Sequence, residues 1–109
     1  MPHLRFRGVA VETLLEISTP LVDELAGKLA CPRDYFTLEC IESQFVFDGQ
    51  LGAGQWPFVE VLWFDRGAEA MKAVAQMITA QLAQHYEGDI TVCFRQLEAQ
   101  HYFENGEHF

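Results

Sequence analysis

The sequence predicts an α+β domain in which two β-α-β units form a four-stranded sheet with both helices on one face. Four short segments have the patterns of strands, alternating apolar and polar residues in the first two and apolar on both faces in the third, and two longer segments repeat apolar residues at helical spacing. The two halves have the same order of elements, and the strands that begin at Pro2 and Pro57 start 55 positions apart. We therefore predict one domain over residues 1–109, with an internal duplication of about 2–47 and 57–97 and a tail at 99–109.

The first half is predicted to contain a strand, a helix and a second strand. The opening strand has two chemically different faces: Pro2, Leu4 and Phe6 against His3, Arg5 and Arg7. From 11 to 29 leucine and isoleucine recur at helical spacing, and Pro20 either bends this helix or begins a second one. A second strand is predicted over about 35–47. The segment 48–56 is predicted to be a flexible loop because it holds three glycines.

The second half repeats this order. A third strand is predicted at 57–65, a strongly amphipathic helix at 68–86 and a fourth strand at 89–97. In the tail, Asn105-Gly106 is a turn signal between two short extended segments.

The third strand is apolar on both faces, a pattern typical of a strand that is buried on both sides. Two helices cover only one face, so we expect a homo-oligomer in which a second copy covers the other. This open face also carries charged side chains that need a partner or water when they are covered: Arg5, Arg7, Glu39 and Arg95. The alternative is a monomer whose second face is hydrated.

Composition narrows the classes of function. Sixteen acidic residues against seven lysines and arginines give a net charge of -9, the wrong sign for a nucleic-acid partner. Three cysteines without a C-x-x-C pair fit reduced thiols in the cytoplasm. No stretch approaches the roughly 20 apolar residues that a membrane span needs. The histidines and glutamates of the tail match no compact metal motif, and the glycines match no nucleotide motif, so no cofactor or metal is expected.

Three stretches of the chain resemble one known family. They are the opening MPHLRFR of 1–7, the PFVEVLWF of 57–64 and the GEHF of 106–109, set within the two β-α-β halves. They are similar to the tautomerase superfamily, which includes macrophage migration inhibitory factor and oxalocrotonate tautomerase, and in particular to an uncharacterised bacterial branch. The resemblance covers essentially the whole chain. It implies a homotrimer in which three sheets enclose a barrel and each tail strand pairs onto a neighbour.

The resemblance also implies a chemistry that centres on Pro2. Once Met1 is removed, the proline nitrogen is a secondary amine, and burial or a nearby cation lowers the pKa of an amine toward neutrality. Such a base takes a proton from the carbon next to a carbonyl and returns it elsewhere, which is keto-enol tautomerisation. If Met1 is retained, the nitrogen is an amide without basicity, and Pro2 is a rigid first residue of a strand.

The remaining site residues follow from the same resemblance. Arg33 lies near the position of a cation that follows the first helix in the family, and Tyr35 matches an aromatic residue of the pocket wall. Phe64 and Arg66, at the end of the third strand, are expected to bind substrate as well. Arginine suits a substrate carboxylate because its guanidinium binds it with two parallel hydrogen bonds. The alternative for both arginines is solvated surface.

The leading hypothesis is a cytoplasmic homotrimeric tautomerase that acts on a small keto or enol acid. The fourth strand has Thr91 and Cys93 where the inhibitory factor has tyrosine and asparagine, so the resemblance does not specify which acid is the substrate. Two alternatives remain. One is a non-catalytic trimer that binds a ligand or acts as a scaffold. The other is a ferredoxin-like module for a small ligand, in which another strand separates the two strands that flank each helix.

Overall fold

A computed structural model describes residues 2–108 of the chain. Its two long helices are α1 (Val11–Leu29) and α2 (Ala68–Ala83). Four strands form the main sheet: β1 (His3–Arg7), β2 (Thr37–Cys40), β5 (Phe58–Trp63) and β6 (Thr91–Gln96). Four shorter strands form two hairpins: β3 (Val46–Phe47) with β4 (Gln50–Leu51), and β7 (Phe103–Glu104) with β8 (Glu107–His108).

The order of the main sheet is β2-β1-β5-β6. β1 and β2 are parallel, β5 and β6 are parallel, and the central pair β1 and β5 is antiparallel. The two strands that flank each helix are therefore neighbours. The ferredoxin-like alternative requires a strand between them and is wrong, whereas the predicted α+β sheet of two β-α-β units is confirmed. The internal duplication stays a prediction.

Both helices cover the same face of the sheet. They pack against each other, and the Gln81 side chain on α2 donates a hydrogen bond to the Glu24 carboxylate on α1. The fully buried sheet residues are apolar and alternate along β1 and β5: Leu4, Phe6, Val59, Val61 and Trp63. This alternation was predicted for β1, whereas β5 was predicted to be buried on both faces and its second face is half-buried in the single chain. Burying one such side chain stabilises a fold by about 1.5–3 kcal/mol relative to leaving it exposed, so this layer dominates the stability.

Pro20 lies inside α1 at an exposed position, so it does not begin a second helix. The helix continues through it because four leucine and isoleucine side chains stay buried on one stripe, from Leu14 to Leu25. It ends where Ala30 takes a left-handed conformation with φ 52° and its N–H bonds to the Ala26 carbonyl. Neither helix of the described chain has the length and apolar character to cross a membrane.

The segment between β2 and β5 differs from the prediction. The second strand stops at Cys40, and 46–51 form a hairpin rather than a continued strand and a flexible loop. Asp48 and Gly49 have φ values of 50° and 75°, the backbone of a two-residue type I′ turn, which pairs the flanking residues. The hairpin extends into solvent, with Val46 66%, Phe47 68% and Leu51 70% exposed. The turn predicted at Asn105-Gly106 is confirmed, with φ values of 54° and 80°.

A glycine is required where β1 ends. Gly8 has φ 71°, and an added Cβ would lie 2.2 Å from the backbone oxygen of Trp56. We expect Gly8→Ala to lower the free energy of unfolding by more than about 2 kcal/mol, since left-handed strain of about 1 kcal/mol adds to a backbone collision. Gly49→Ala is the matched control, because Gly49 has φ 75° and open space around it. Urea unfolding of both variants measures the difference, and equal losses would contradict the collision.

Candidate functional site

One end of the sheet brings together the segments that carry the predicted site residues. β1 and β2 begin there, and the antiparallel β5 and its parallel neighbour β6 end there. Pro2 is fully buried at this end, and its carbonyl accepts a hydrogen bond from the Thr37 N–H at 3.2 Å. Extending the strand register by one residue places Pro2 beside Phe36 and opposite Trp63. The prediction about Met1 lies outside the described residues.

Arg33 and Tyr35 lie on a short 3-10 helix just before β2, at this same end. The guanidinium of Arg33 is directed to α1, where its Nε donates to Asp23 Oδ1 at 2.7 Å. Both side chains of this ion pair are more than half exposed, at 54% and 60%. Tyr35 is exposed as well. Arg33 and Pro2 therefore lie at the same end of the sheet, but within residues 2–108 no hydrogen bond or ion pair joins them.

Phe64 and Arg66 follow β5 directly and reach the same end. The Phe64 ring is half-buried and meets the edge of the Tyr102 ring at a centroid distance of 5.2 Å, so the tail folds back over it. Burial and a hydrogen bond to Glu104 raise the pKa of the Tyr102 hydroxyl, which therefore stays protonated at neutral pH. Arg66 is exposed beyond the strand.

The sequence did not single out Trp63 as a residue near Pro2. Its side chain is fully buried, its ring packs on Phe94 with centroids 4.9 Å apart, and its Nε1 has no hydrogen-bond partner in the described chain. Strand alternation predicted its burial. Its position opposite Pro2 follows only from the antiparallel pairing of β1 with β5, which no local pattern indicates.

The open face of the sheet is arranged in rows that run across the four strands. In the middle row, Arg5 lies between Glu39 and Glu60, and Cys93 ends the row beside Glu60. The row nearer Pro2 contains His3, Leu62 and Arg95, and the row on the other side contains Arg7 and Phe58. The charged side chains of this face form ion pairs. Arg5 pairs with Glu39 and Glu60 directly across the strands, and Arg7 and Arg95 pair with Glu60 diagonally.

Glu39 is tied into this face by two neighbours. With the His3 proton on Nε2, that nitrogen donates to Glu39 Oε1 at 2.9 Å, while the Thr37 hydroxyl donates to His3 Nδ1 at 2.6 Å. Arg5 Nε lies 3.3 Å from the same Glu39 oxygen. The His3 hydrogen bond, opposed by burial and assisted by the Arg5 charge, holds the pKa of Glu39 below its ordinary value.

The lowered pKa of Glu39 predicts that the free energy of unfolding depends on pH. A carboxylate with a depressed pKa stabilises the fold above its unfolded pKa, and that contribution is lost as pH falls through the folded pKa. We expect Glu39→Gln to flatten the decline in the free energy of unfolding between about pH 5 and about pH 3. Urea unfolding across this range is the measurement, with the exposed Glu107→Gln on the tail as control. Parallel declines in the wild type and Glu39→Gln would contradict the assignment.

A cavity lies at the opposite end of the sheet from Pro2. It has a volume of about 890 Å³, and its walls include Glu12, Glu42 and Tyr86. The Tyr86 hydroxyl accepts a hydrogen bond from the Ala10 N–H at 2.8 Å and so ties α2's end to the start of α1. None of the predicted site residues lines this cavity. Across residues 2–108, no three His, Cys, Asp and Glu side chains are grouped to hold a metal ion.

The strand order and the two helices on one face define a tautomerase-like fold, that of macrophage migration inhibitory factor. A macrophage migration inhibitory factor-like protein from Entamoeba histolytica superposes with a TM-score of 0.75 at 17% identity, covering 99% of this chain and 98% of that one. A structure described as a fused 4-OT wild type asymmetric trimer superposes with a TM-score of 0.68 at 16% identity, covering 97% and 94%. At these identities the likeness shows the fold alone.

The chain belongs to the family described as a domain of unknown function, DUF1904, which it matches over residues 1–108. A DUF1904 domain from Sebaldella termitidis ATCC 33386 superposes with a TM-score of 0.93 at 39% identity, covering 100% of both chains. The predicted resemblance is thereby confirmed at the level of the fold: the chain belongs to an uncharacterised family whose members share the tautomerase-like fold. A comparison with curated proteins found no match.

Proposed function

We propose that the protein is a tautomerase of a small keto or enol acid, with Pro2 as the general base once Met1 is removed. The observation that carries the proposal is the complete burial of Pro2 immediately before β1, at the end of the sheet where the segments bearing Arg33, Tyr35, Phe64 and Arg66 also converge. A general base has to be neutral at the working pH, and burial disfavours the charged form of an amine. The tautomerase-like fold supports the same assignment.

In this proposal the two arginines orient the carboxylate of the substrate, which holds the carbon next to the carbonyl against the Pro2 nitrogen. Arg33 would have to leave Asp23 to do so. Exposed ion pairs of this kind are worth at most about 1 kcal/mol, so a substrate carboxylate competes with Asp23 on equal terms. The aromatic rings of Tyr35 and Phe64 would form the apolar wall, and the arginine charges would stabilise the enolate.

A homotrimer is part of the proposal. The open sheet face presents half-buried apolar side chains at Phe58, Leu62 and Phe64, and the hairpin of β3 and β4 exposes three more. Exposed apolar side chains that gather on one side of a domain favour a contact with another chain. One structure with this fold is described as a trimer. Three copies around a central axis would cover the open faces, with each tail hairpin on a neighbouring subunit, in a cytoplasmic protein.

The test is a direct assay of ketonisation and enolisation with phenylpyruvate and a hydroxymuconate-type acid. The mass of the purified protein is measured in the same preparation, because the proposal requires that Met1 be absent. We expect turnover that rises with pH as the amine loses its proton. Protein that lacks Met1 and turns over neither acid would overturn the proposed function.

A second candidate is a non-catalytic trimer that binds a ligand or acts as a scaffold. The observation that favours it is the engagement of Arg33 with Asp23, which leaves Pro2 without a described cationic contact. Retention of Met1 together with a trimeric mass in solution would support this candidate over the enzyme.

A further inference from the structure

The open face of the sheet holds more positive charge than its own carboxylates neutralise. Arg5, Arg7 and Arg95, here called the arginine cluster, face only Glu39 and Glu60 across the rows of strands. The cluster contains three of the seven basic residues of a chain whose net charge is -9. Positive charge is therefore concentrated on the one face that the helices leave uncovered.

Glu60 is the point at which the cluster converges. Its side chain is only 12% exposed, and its Oε1 lies 3.5 Å from Arg5 Nη1 and 3.9 Å from Arg7 Nη1. Arg95 Nη1 donates to Glu60 Oε2 at 3.3 Å. Three like charges held this close repel each other, and Glu60 together with Glu39 balances only two of them.

The hydrogen-bond donors of the cluster are also incompletely used. Arg5 Nε is buried and, despite its 3.3 Å approach to Glu39, has no hydrogen-bond partner among residues 2–108. Each guanidinium has five N–H groups. A buried N–H without an acceptor is costly, so this face has both the charge and the free donors for another acceptor.

We propose that the arginine cluster binds a small tetrahedral oxyanion, with phosphate as the probe. Planar carboxylates are already present as Glu39 and Glu60 and leave the cluster positively charged. A phosphate ion carries more negative charge than a single carboxylate, and its four oxygens point in different directions. One phosphate can therefore accept hydrogen bonds from guanidiniums that belong to different strands and rows. A long polyanion is disfavoured because the rest of the chain is acidic. The Pro2 ring lies on the other face of the sheet, so this inference does not rest on the proposed function.

Isothermal titration with sodium phosphate at neutral pH tests the proposal, with sodium chloride adjusted to keep the ionic strength constant. We expect saturable binding of one phosphate per chain in the wild type. Acetate, a planar carboxylate, is expected to bind at least about tenfold more weakly. The oligomeric state is measured with and without phosphate, because a second copy that covers this face encloses the ion.

Three variants are expected to change the phosphate affinity in different directions. Arg95→Gln should weaken phosphate about tenfold, since it removes one charge-assisted hydrogen bond. Glu60→Gln removes the carboxylate that competes with the anion and should tighten phosphate binding. Lys72→Gln, on the exposed side of α2, changes the net charge as Arg95→Gln does and should leave the affinity unchanged.

The proposal fails if phosphate produces no more heat than sodium chloride at equal ionic strength. It also fails if acetate binds as tightly as phosphate, or if Arg95→Gln and Lys72→Gln weaken binding equally. Thermal unfolding of each variant identifies any protein that has not folded. Because Arg95→Gln and Glu60→Gln are expected to move the affinity in opposite directions, general damage to the fold cannot reproduce the pattern.

Discussion

Replacing Pro2 by alanine is expected to lower kcat/KM for the ketonisation of phenylpyruvate by about 10²- to 10⁴-fold, the usual contribution of a positioned general base. After removal of Met1 the variant still has an amine, but it has no ring to hold that nitrogen at the buried end of β1. A base that is free to move loses the alignment with the substrate carbon on which the rate depends. Initial rates from pH 6 upward measure the loss.

Pro57→Ala is the matched control for this prediction. Pro57 is also a buried proline at the start of a strand, but it precedes β5 at the opposite end of the sheet, where its carbonyl accepts the Thr91 N–H. We expect this variant to keep the wild-type kcat/KM even if it unfolds at a lower temperature. Equal losses of activity in the two variants would show that the proline contributes rigidity and not a base.

Trp63→Ala is expected to cost about 3–5 kcal/mol of the free energy of unfolding, which is most of the stability of an ordinary domain. Trp63 is completely buried between the sheet and the helices, where its ring contacts Phe94. Removing it leaves a cavity that the surrounding side chains fill only in part. The transition midpoint in urea is the measurement, or the loss of a cooperative transition if the variant does not fold.

Two further variants, Trp56→Ala and Trp63→Phe, serve as controls for Trp63→Ala. Trp56→Ala removes a ring that is 39% exposed and whose Nε1 donates to Thr91 Oγ1, so a loss of only about 1 kcal/mol is expected. Trp63→Phe keeps most of the apolar volume and removes an indole N–H that has no partner in the described chain. It should be the mildest change at this position. A loss from Trp63→Phe as large as that from Trp63→Ala would contradict the view that the buried apolar volume, and not the indole N–H, supplies the stability at this position.

Much of the fold was predictable because it depends on local periodicity. The alternation in residues 2–7 correctly separated the buried face from the open face, and the helical spacing along 11–29 correctly predicted a helix despite Pro20. Residues 58–63 were predicted to be buried on both faces, whereas within one chain one face is fully buried and the other half-buried. The hairpin at 46–51 was missed because its glycines were interpreted as flexibility, although Asp48-Gly49 is a strong signal for a tight turn between strands.

The candidate site was less predictable because its geometry depends on contacts between distant segments. The antiparallel pairing of β1 with β5 places Trp63 opposite Pro2, and no pattern in either strand specifies the partner or its direction. The pairing of Arg33 with Asp23 depends on how a short 3-10 helix packs beside α1, which side-chain chemistry alone does not determine. The roles of Pro2, Arg33, Tyr35, Phe64 and Arg66 in catalysis stay predictions.

The hairpin of β3 and β4 has a consequence for handling the protein. Its turn at Asp48-Gly49 projects into solvent, and its strands have only two residues each, with one further hydrogen bond from the Gly52 N–H to the Phe45 carbonyl. Projecting tips of this kind are where proteases cut folded chains first. The rate of nicking at 46–51 is therefore a simple reporter of whether this arm is exposed or shielded as the sample is diluted.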